Sequence, residues 1–305
     1  MGVAFGVFLL VVGIAARIGF DVWRSKAAHK AWVRKGREKS GGAASYAALI
    51  RSQVRALAQP TLWLTPTQAP GFSKLGGDPE LPRGLAWPED DDLPRAFVGQ
   101  IDLAEVRAAG GSSWLPAEGR LYAFHDGERV GCADLVRLIY TREPAAAPVA
   151  PLSGPKAPLK FPERRVGFFA ATSLPSSDWL DIDPRELADD DDPAAWDALA
   201  ALETRPQGKQ VREHRIGGYP SEIQGGRLQL ECEHLARDLP DPDYRQPVPA
   251  DIAAGAATWR LLLQIDSDNE LQMNWVDGGM LYVFVRQADA EAGDFSKAVT
   301  VCQFN

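Results

Sequence analysis

LLLQID at residues 261–266 and GMLYVF at 279–284 repeat, in the same order, FVGQID at 97–102 and GRLYAF at 119–124. A double-glycine stretch stands upstream of each pair, KLGGDP at 74–79 and RIGGYP at 215–220. The offsets are 141 (74 to 215), 164 (97 to 261) and 160 (119 to 279). The second copy therefore carries an insertion after its double glycine and a shorter connection after QID. Similar strand fragments recur by chance in β-rich chains, but three stretches in one order point to an internal duplication. Two copies suit paired halves about a pseudo-twofold axis better than a solenoid. Sheet from one half can then pack on, or exchange strands with, the other.

The rest of the body reads around these anchors. TLWLT (61–65), AFVGQI (96–101), RLYAFH (120–125) and VRLIYT (136–141) have strand character in the first half. RLLLQI (260–265), MLYVFVR (280–286) and AVTVCQF (298–304) have it in the second. Asp102 followed by Glu105 reads as a capping box opening a short helix. YAALIRSQVRALA (46–58) and AAWDALAALE after Pro193 are further helix candidates. Six prolines between Glu143 and Pro162 leave no room for a regular element, which predicts a linker or a long surface loop.

Residues 2–16, GVAFGVFLLVVGIAA, carry no charge, and Ile18, Gly19 and Phe20 extend the run past Arg17. At about 1.5 Å per residue a helix over 2–20 spans about 28 Å, close to the roughly 30 Å of a bilayer core. A cleaved signal peptide or a buried or interfacial helix is the alternative. Charge order favours an anchor: no charged side chain precedes the run, whereas eight basic residues from Arg17 to Lys39 lie within or after it. The positive-inside rule then places the N-terminus outside and the body in the cytoplasm, at the inner (plasma) membrane.

The expected organisation is a transmembrane anchor (1–20), a basic juxtamembrane helical region (21–59) and a first repeat (60–142). A Pro/Ala-rich linker with an acidic loop and short helix (143–205) and a second repeat (206–305) complete the chain. The expected fold class is α+β: an internally duplicated, β-rich domain with pseudo-twofold halves, plus one N-terminal transmembrane helix.

The net charge of −8 conceals an asymmetry. Residues 1–40 hold eight basic and two acidic groups, so the remainder holds 25 basic and 39 acidic. So acidic a body repels a phosphate backbone, which argues against nucleic-acid binding. Cys132, Cys232 and Cys302 are scattered and odd in number, unlike a disulfide framework and suited to a reducing compartment. Only four histidines are present, none at ligand spacing from a cysteine, so no zinc site and no cofactor is expected.

Longer stretches carry a family resemblance. SKLGGDPELPRGLAWP (73–88), AFVGQIDL (96–103), HRIGGYPSEIQG (214–225) and LECE (230–233) are four of them. LLLQIDSDNELQMNWVDGGMLYVF (261–284) and DFSKAVTVCQ (294–303) complete the set. Together they resemble the YwqG-like family (DUF1963) over roughly residues 60–305. The resemblance implies an internally duplicated α+β fold of unknown function, with some members near bacterial toxin–immunity loci. It supplies no catalytic residues. The chain departs from the family pattern in its Pro/Ala-rich middle and at WVDGG (275–279), where members tend to carry Gly in place of Val276.

No GxSxG, HExxH, Walker or GxGxxG pattern is present. The double glycines follow Lys74 and Arg215, so their amides are candidates for an anion-binding nest; a tight turn at positive φ explains the same residues. The aligned positions differ between copies: Ser73 against His214, and Asp78 against Tyr219. The second copy is thus the expected carrier of polar function. Its candidates are His214, Arg215, Gly217, Gly218, Tyr219, Gln224, Asp266, Asp268, Trp275 and Asp277. His214 with Glu231 or Glu233 is one acid–base possibility, a hydrogen-bonded structural histidine the other. Asp266, Asp268, Glu270 and Asp277 form the densest acidic constellation, but Leu271 stands where a calcium loop needs its glycine, and a polar hairpin is the alternative. Two functional readings remain: a cytoplasmic-face interaction module, immunity-like in the sharpest form, or an enzyme or small-molecule binder using a cleft between the repeats.

Overall fold

The computed structural model describes residues 55–91, 93–126, 135–149, 157–175, 204–206, 211–224, 227–244 and 246–304. Residues 57–178 and 202–305 belong to one compact unit, and the described strands and helices from Gln59 to Gln303 all lie in it. The anchor segment, the basic region up to residue 54 and the helix expected after Pro193 lie outside the described residues. Among the described residues no helix is long and apolar enough to cross a membrane.

Among the described residues twelve strands are formed: β1 Gln59–Pro66, β2 Lys74–Leu75, β3 Glu89–Asp90, β4 Leu93–Pro94, β5 Ala96–Asp102, β6 Arg120–His125, β7 Val136–Thr141, β8 Arg164–Ser173, β9 Arg215–Ile216, β10 Trp259–Asp266, β11 Met280–Arg286 and β12 Val299–Gln303. The helices described between them are α1 Leu103–Ala108, α2 Leu228–Ala236, α3 Ala250–Ala256 and α4 Gln287–Glu291. Apart from the β3–β4 pair, the strands form one antiparallel sheet in the order β12-β11-β10-β9-β1-β8-β2-β5-β6-β7. The protein is thus mostly β, with few helices.

The sheet curls until its two edge strands approach each other. The Val136 N–H on β7 donates to Thr300 Oγ on β12 at 3.2 Å, and Tyr140 meets Phe295 at 5.2 Å between ring centroids. The near-barrel interior holds Leu62, Leu64, Val98, Ile101, Leu263, Ile265 and Val283, all buried. Alternation along the strands sends the other side chains outward, and two covers bury them. Leu81, Leu85 and Trp87 lie on Phe97, Tyr122 and Phe124. Leu228 and Cys232 of α2 lie on Trp259, Leu261, Tyr282 and Phe284. The long stretch between the second double glycine and β10 contains α2 and α3, the larger cover.

Strand order reads alike outward from the central β1–β8 pair: β9-β10-β11-β12 on one side and β2-β5-β6-β7 on the other. The long strands are crossed over. β1, which precedes β2 in sequence, pairs with β9, and β8, which precedes β9, pairs with β2. Local geometry matches as well. A register shift falls between Phe97 and Gly99 in one arm and between Leu261 and Leu263 in the other. Buried Gln100 accepts from Glu80 N and donates to Phe72 O, while buried Gln264 accepts from Ser221 N and donates to Glu213 O. The Tyr122 hydroxyl donates to Glu80 O at 2.8 Å and that of Tyr282 to Ser221 O at 2.5 Å.

Most strands stand where the sequence places them. β8 does not: it lies inside the stretch read as linker, and its ten residues form one of the two central strands. The proline-dense residues 143–149 and 157–162 do lack regular structure, as expected.

Candidate functional site

His214 immediately precedes β9, and its backbone carbonyl accepts from Leu64 N on β1. Its ring is buried, and both nitrogens are engaged. Nδ1 accepts the Asp266 N–H at 3.1 Å, so the ring proton sits on Nε2, which faces Asp268 Oδ2 at 3.3 Å. A general base needs a free lone pair directed at substrate; the Nδ1 pair is held by a backbone amide instead. The acid–base pairing of His214 with Glu231 or Glu233 is therefore not formed. Glu233 binds Trp259, Arg237 and Arg286, and Glu231 binds Tyr244.

Asp268 is 1% exposed and belongs to the hairpin between β10 and β11. Arg164 at the start of β8 bonds to its Oδ2, and a second guanidinium nitrogen reaches Glu270 at 2.7 Å. Oδ1 accepts from Glu270 N and Leu271 N. Burial opposes ionisation of Asp268, but hydrogen bonds from His214 and Arg164 and the arginine charge outweigh it and hold the carboxyl well below the usual range. This arrangement clamps the hairpin to β8 and β9. Leu271, Met273 and Trp275 then seat in the core, where the Trp275 ring meets His125 and Phe161.

Asp266 stays beside His214, and the remaining sequence candidates are dispersed. The Asp266 carboxylate accepts from Glu213 N, and its carbonyl accepts from the Trp275 indole. Arg215 stacks over Trp63 at 5.0 Å and donates to Glu213 and Ser221. Tyr219 donates its hydroxyl to Leu57 O, ahead of β1, whereas the His214 carbonyl meets Leu64 within β1. Burial raises the Tyr219 phenol above its ordinary value. Gln224 reaches the far side of β12 through Phe304 O, and Asp277 is exposed. Among the described residues no three His, Cys, Asp or Glu side chains converge as a metal site.

The anion-nest reading of the glycines gives way to the turn. Gly76 and Gly77 have φ of 63° and 75°, and their amides donate to Val98 O and Phe161 O. Gly217 and Gly218 repeat the conformation at 70° and 75°, and a Cβ on Gly218 would lie 2.3 Å from Ser173 Oγ.

A different feature emerges from the second cover. A solvent-connected cavity of about 310 Å³ lies between α2, the turn Leu239–Tyr244 and β12. Glu231, His234, Leu235, Leu239, Asp241 and Cys302 are among its lining residues. α2 is fixed to the sheet by buried Glu233, which accepts from Trp259, Arg237 and Arg286. Burial opposes its ionisation, but those bonds hold its carboxyl below its ordinary value.

The family model for a domain of unknown function, DUF1963, matches residues 73–303 of this chain. The chain belongs to the DUF1963 family. No curated protein is significantly similar to it. The span matched within this DUF1963 chain holds Arg164, His214, Asp268, Trp275 and the cavity wall, whereas β1 precedes it. Arg164 is the member of the cluster that sequence reasoning missed. Its signal was available in RRVGFFAATS (164–173), a basic pair before a strand-like run, but the neighbouring prolines assigned it to a linker.

Proposed function

We propose that this DUF1963 protein is a non-catalytic binding module, tethered by residues 2–20 with its body on the cytoplasmic face of the membrane. The supporting observation is the His214–Asp268–Arg164 cluster. Its reactive groups are turned on one another and on backbone amides, an arrangement that stiffens a scaffold rather than offering a base or nucleophile. The matching arms support a further step: the two halves descend from one duplicated unit with exchanged long strands, and the second half was specialised by its insertion.

The test uses the full chain in its own membranes. Photo-crosslinking side chains are placed at exposed Leu93 and Val276 and, in the second cover, at Leu239. A binding module gives a discrete stoichiometric adduct from at least one position. No adduct from any position, together with a turnover activity lost in a folded His214→Gln variant, sinks the reading in favour of an enzyme. A reporter fused after Asn305 settles the side of the membrane; activity on the outer face overturns the assigned topology.

A further inference from the structure

The cavity beside α2 has two features that no structural role explains. Glu231 and Asp241 both line it, and among the described residues neither has a cationic partner. Burial, and then the Asp241 charge, raise the Glu231 carboxyl above its ordinary value against the pull of the Tyr244 hydroxyl, which donates to it at 2.6 Å. His234 bonds through Nδ1 to Pro240 O at 2.6 Å, so that nitrogen carries hydrogen. Leu235, Leu239, Pro242 and Val301 make the apolar part of the wall, with Tyr244, Thr300 and Cys302 beside them. Acceptors and negative charge at one part of a half-apolar cavity specify a ligand with a donor-rich cationic head and an apolar stem.

We propose that the cavity between α2, the Leu239–Tyr244 turn and β12 binds a small organic primary amine, its ammonium lodged between Glu231 and Asp241 and its stem against Leu235 and Leu239. A volume of about 310 Å³ lies at the lower end of typical small-molecule sites, which suits an alkyl- or arylalkylamine. Three ammonium hydrogens match the acceptors on offer, whereas a carboxylate ligand is repelled. The ligand also covers Cys302, whose thiol is pushed up to about 11 by burial. The inference rests on the binding-module reading and names a ligand for it.

Calorimetric titration of the full chain in nonionic detergent with phenethylamine, n-hexylamine, n-hexanol and hexanoate tests it. Both amines bind saturably, and the alcohol and the acid do not. Asp241→Asn, at an exposed position that leaves folding intact, and Glu231→Gln each weaken amine binding about tenfold or more. Binding also declines as pH falls through the raised Glu231 range, because protonation removes the charge that holds the ammonium. Peptide-resolved thiol labelling shows Cys302 protected by amine in the wild type and unprotected in the variants. Absence of saturable amine binding, equal binding of n-hexanol, or unchanged affinity in both variants overturns the proposal. Those results leave the crosslinking test untouched, so the cavity ligand and the wider binding role fail separately.

Discussion

At the ends of β5 and β10 the two arms meet the same problem with different chemistry. In each, the residue before the short strand brings a polar side chain to the near-barrel's end, where it accepts the N–H of the aspartate closing the longer strand. Ser73 Oγ does so for Asp102, and His214 Nδ1 for Asp266. In the first arm α1 comes next, and half-buried Glu105 accepts from Phe72 N, Ser73 N and Ser73 Oγ. In the second a hairpin comes next, and buried Asp268 takes His214 with Arg164 as counter-charge. The hydrogen-bonded frame around Gln100 and Gln264 is common to both arms. Chemical asymmetry is confined to what closes the end: a capped helix beside water, or an ionic clamp around buried Asp268 and His214.

Breaking the two closures separately gives the largest contrast. Asp268→Ala leaves the Arg164 guanidinium poorly compensated and the His214 Nε2–H without its acceptor, a loss of about 3–5 kcal/mol. Glu105→Ala removes hydrogen bonds at a half-exposed site and costs about 1–2 kcal/mol. Urea unfolding of both variants checks the order; equal losses remove the distinction between clamp and cap. The pH dependence is set by the depressed Asp268 carboxyl. Its stabilisation is complete above the unfolded value of about 3.9 and disappears as pH falls through the lower folded value. Asp268→Asn therefore differs most from wild type near neutrality, and the gap narrows below about pH 4.

Trp275→Ala probes what the clamp holds in place. The indole is 4% exposed, packs on His125 and Phe161, and donates to Asp266 O. Truncation costs about 3–4 kcal/mol by thermal or urea unfolding. Combined with Asp268→Ala, the total falls short of the two separate losses, because a hairpin already released no longer seats the ring. Additive losses break the link between clamp and plug. The common frame makes the opposite kind of prediction. Gln100→Leu and Gln264→Leu each strand one backbone N–H and one C=O, for about 1–3 kcal/mol apiece. Losses that differ by more than about 1 kcal/mol show that the arms are alike in outline only.

The frame was legible because its signals are local. Strand alternation, the glycine turns and the Asp102 cap each involve a few neighbouring residues, and the capped helix forms where expected. Even there one detail escaped: Glu105 does not reach back to the Asp102 amide as a capping box would, because Ser73 already holds that amide. Of the candidate residues only some share a place, and their partners were not legible. His214, Asp266, Asp268 and Trp275 do come together. Glu231 and Glu233 are close to His214 in sequence, yet they belong to α2, which carries them over the outer face of the sheet. Arg164 escaped for the converse reason: it lies 104 residues before Asp268, and the crossed-over long strands bring the two together. No periodicity in a single stretch encodes such a pairing.

Val276 offers the smallest and sharpest intervention. It lies in the hairpin with φ at 61°, a left-handed conformation that costs a β-branched residue about 1–2 kcal/mol, and its side chain is 45% exposed. Val276→Gly relieves that strain and loses little burial, while the added freedom of the unfolded chain takes back about 0.4–1 kcal/mol. The net effect is stabilisation of about 0.5–1 kcal/mol, measurable as a raised urea midpoint with unchanged slope. The residue adjoins Trp275, so with the crosslinking side chain moved to exposed Asp277, a more stable variant that keeps the adducts formed around the hairpin marks Val276 as tolerated strain. A more stable variant that loses them shows instead that the exposed isopropyl group is held out for contact, and the strain is then part of binding.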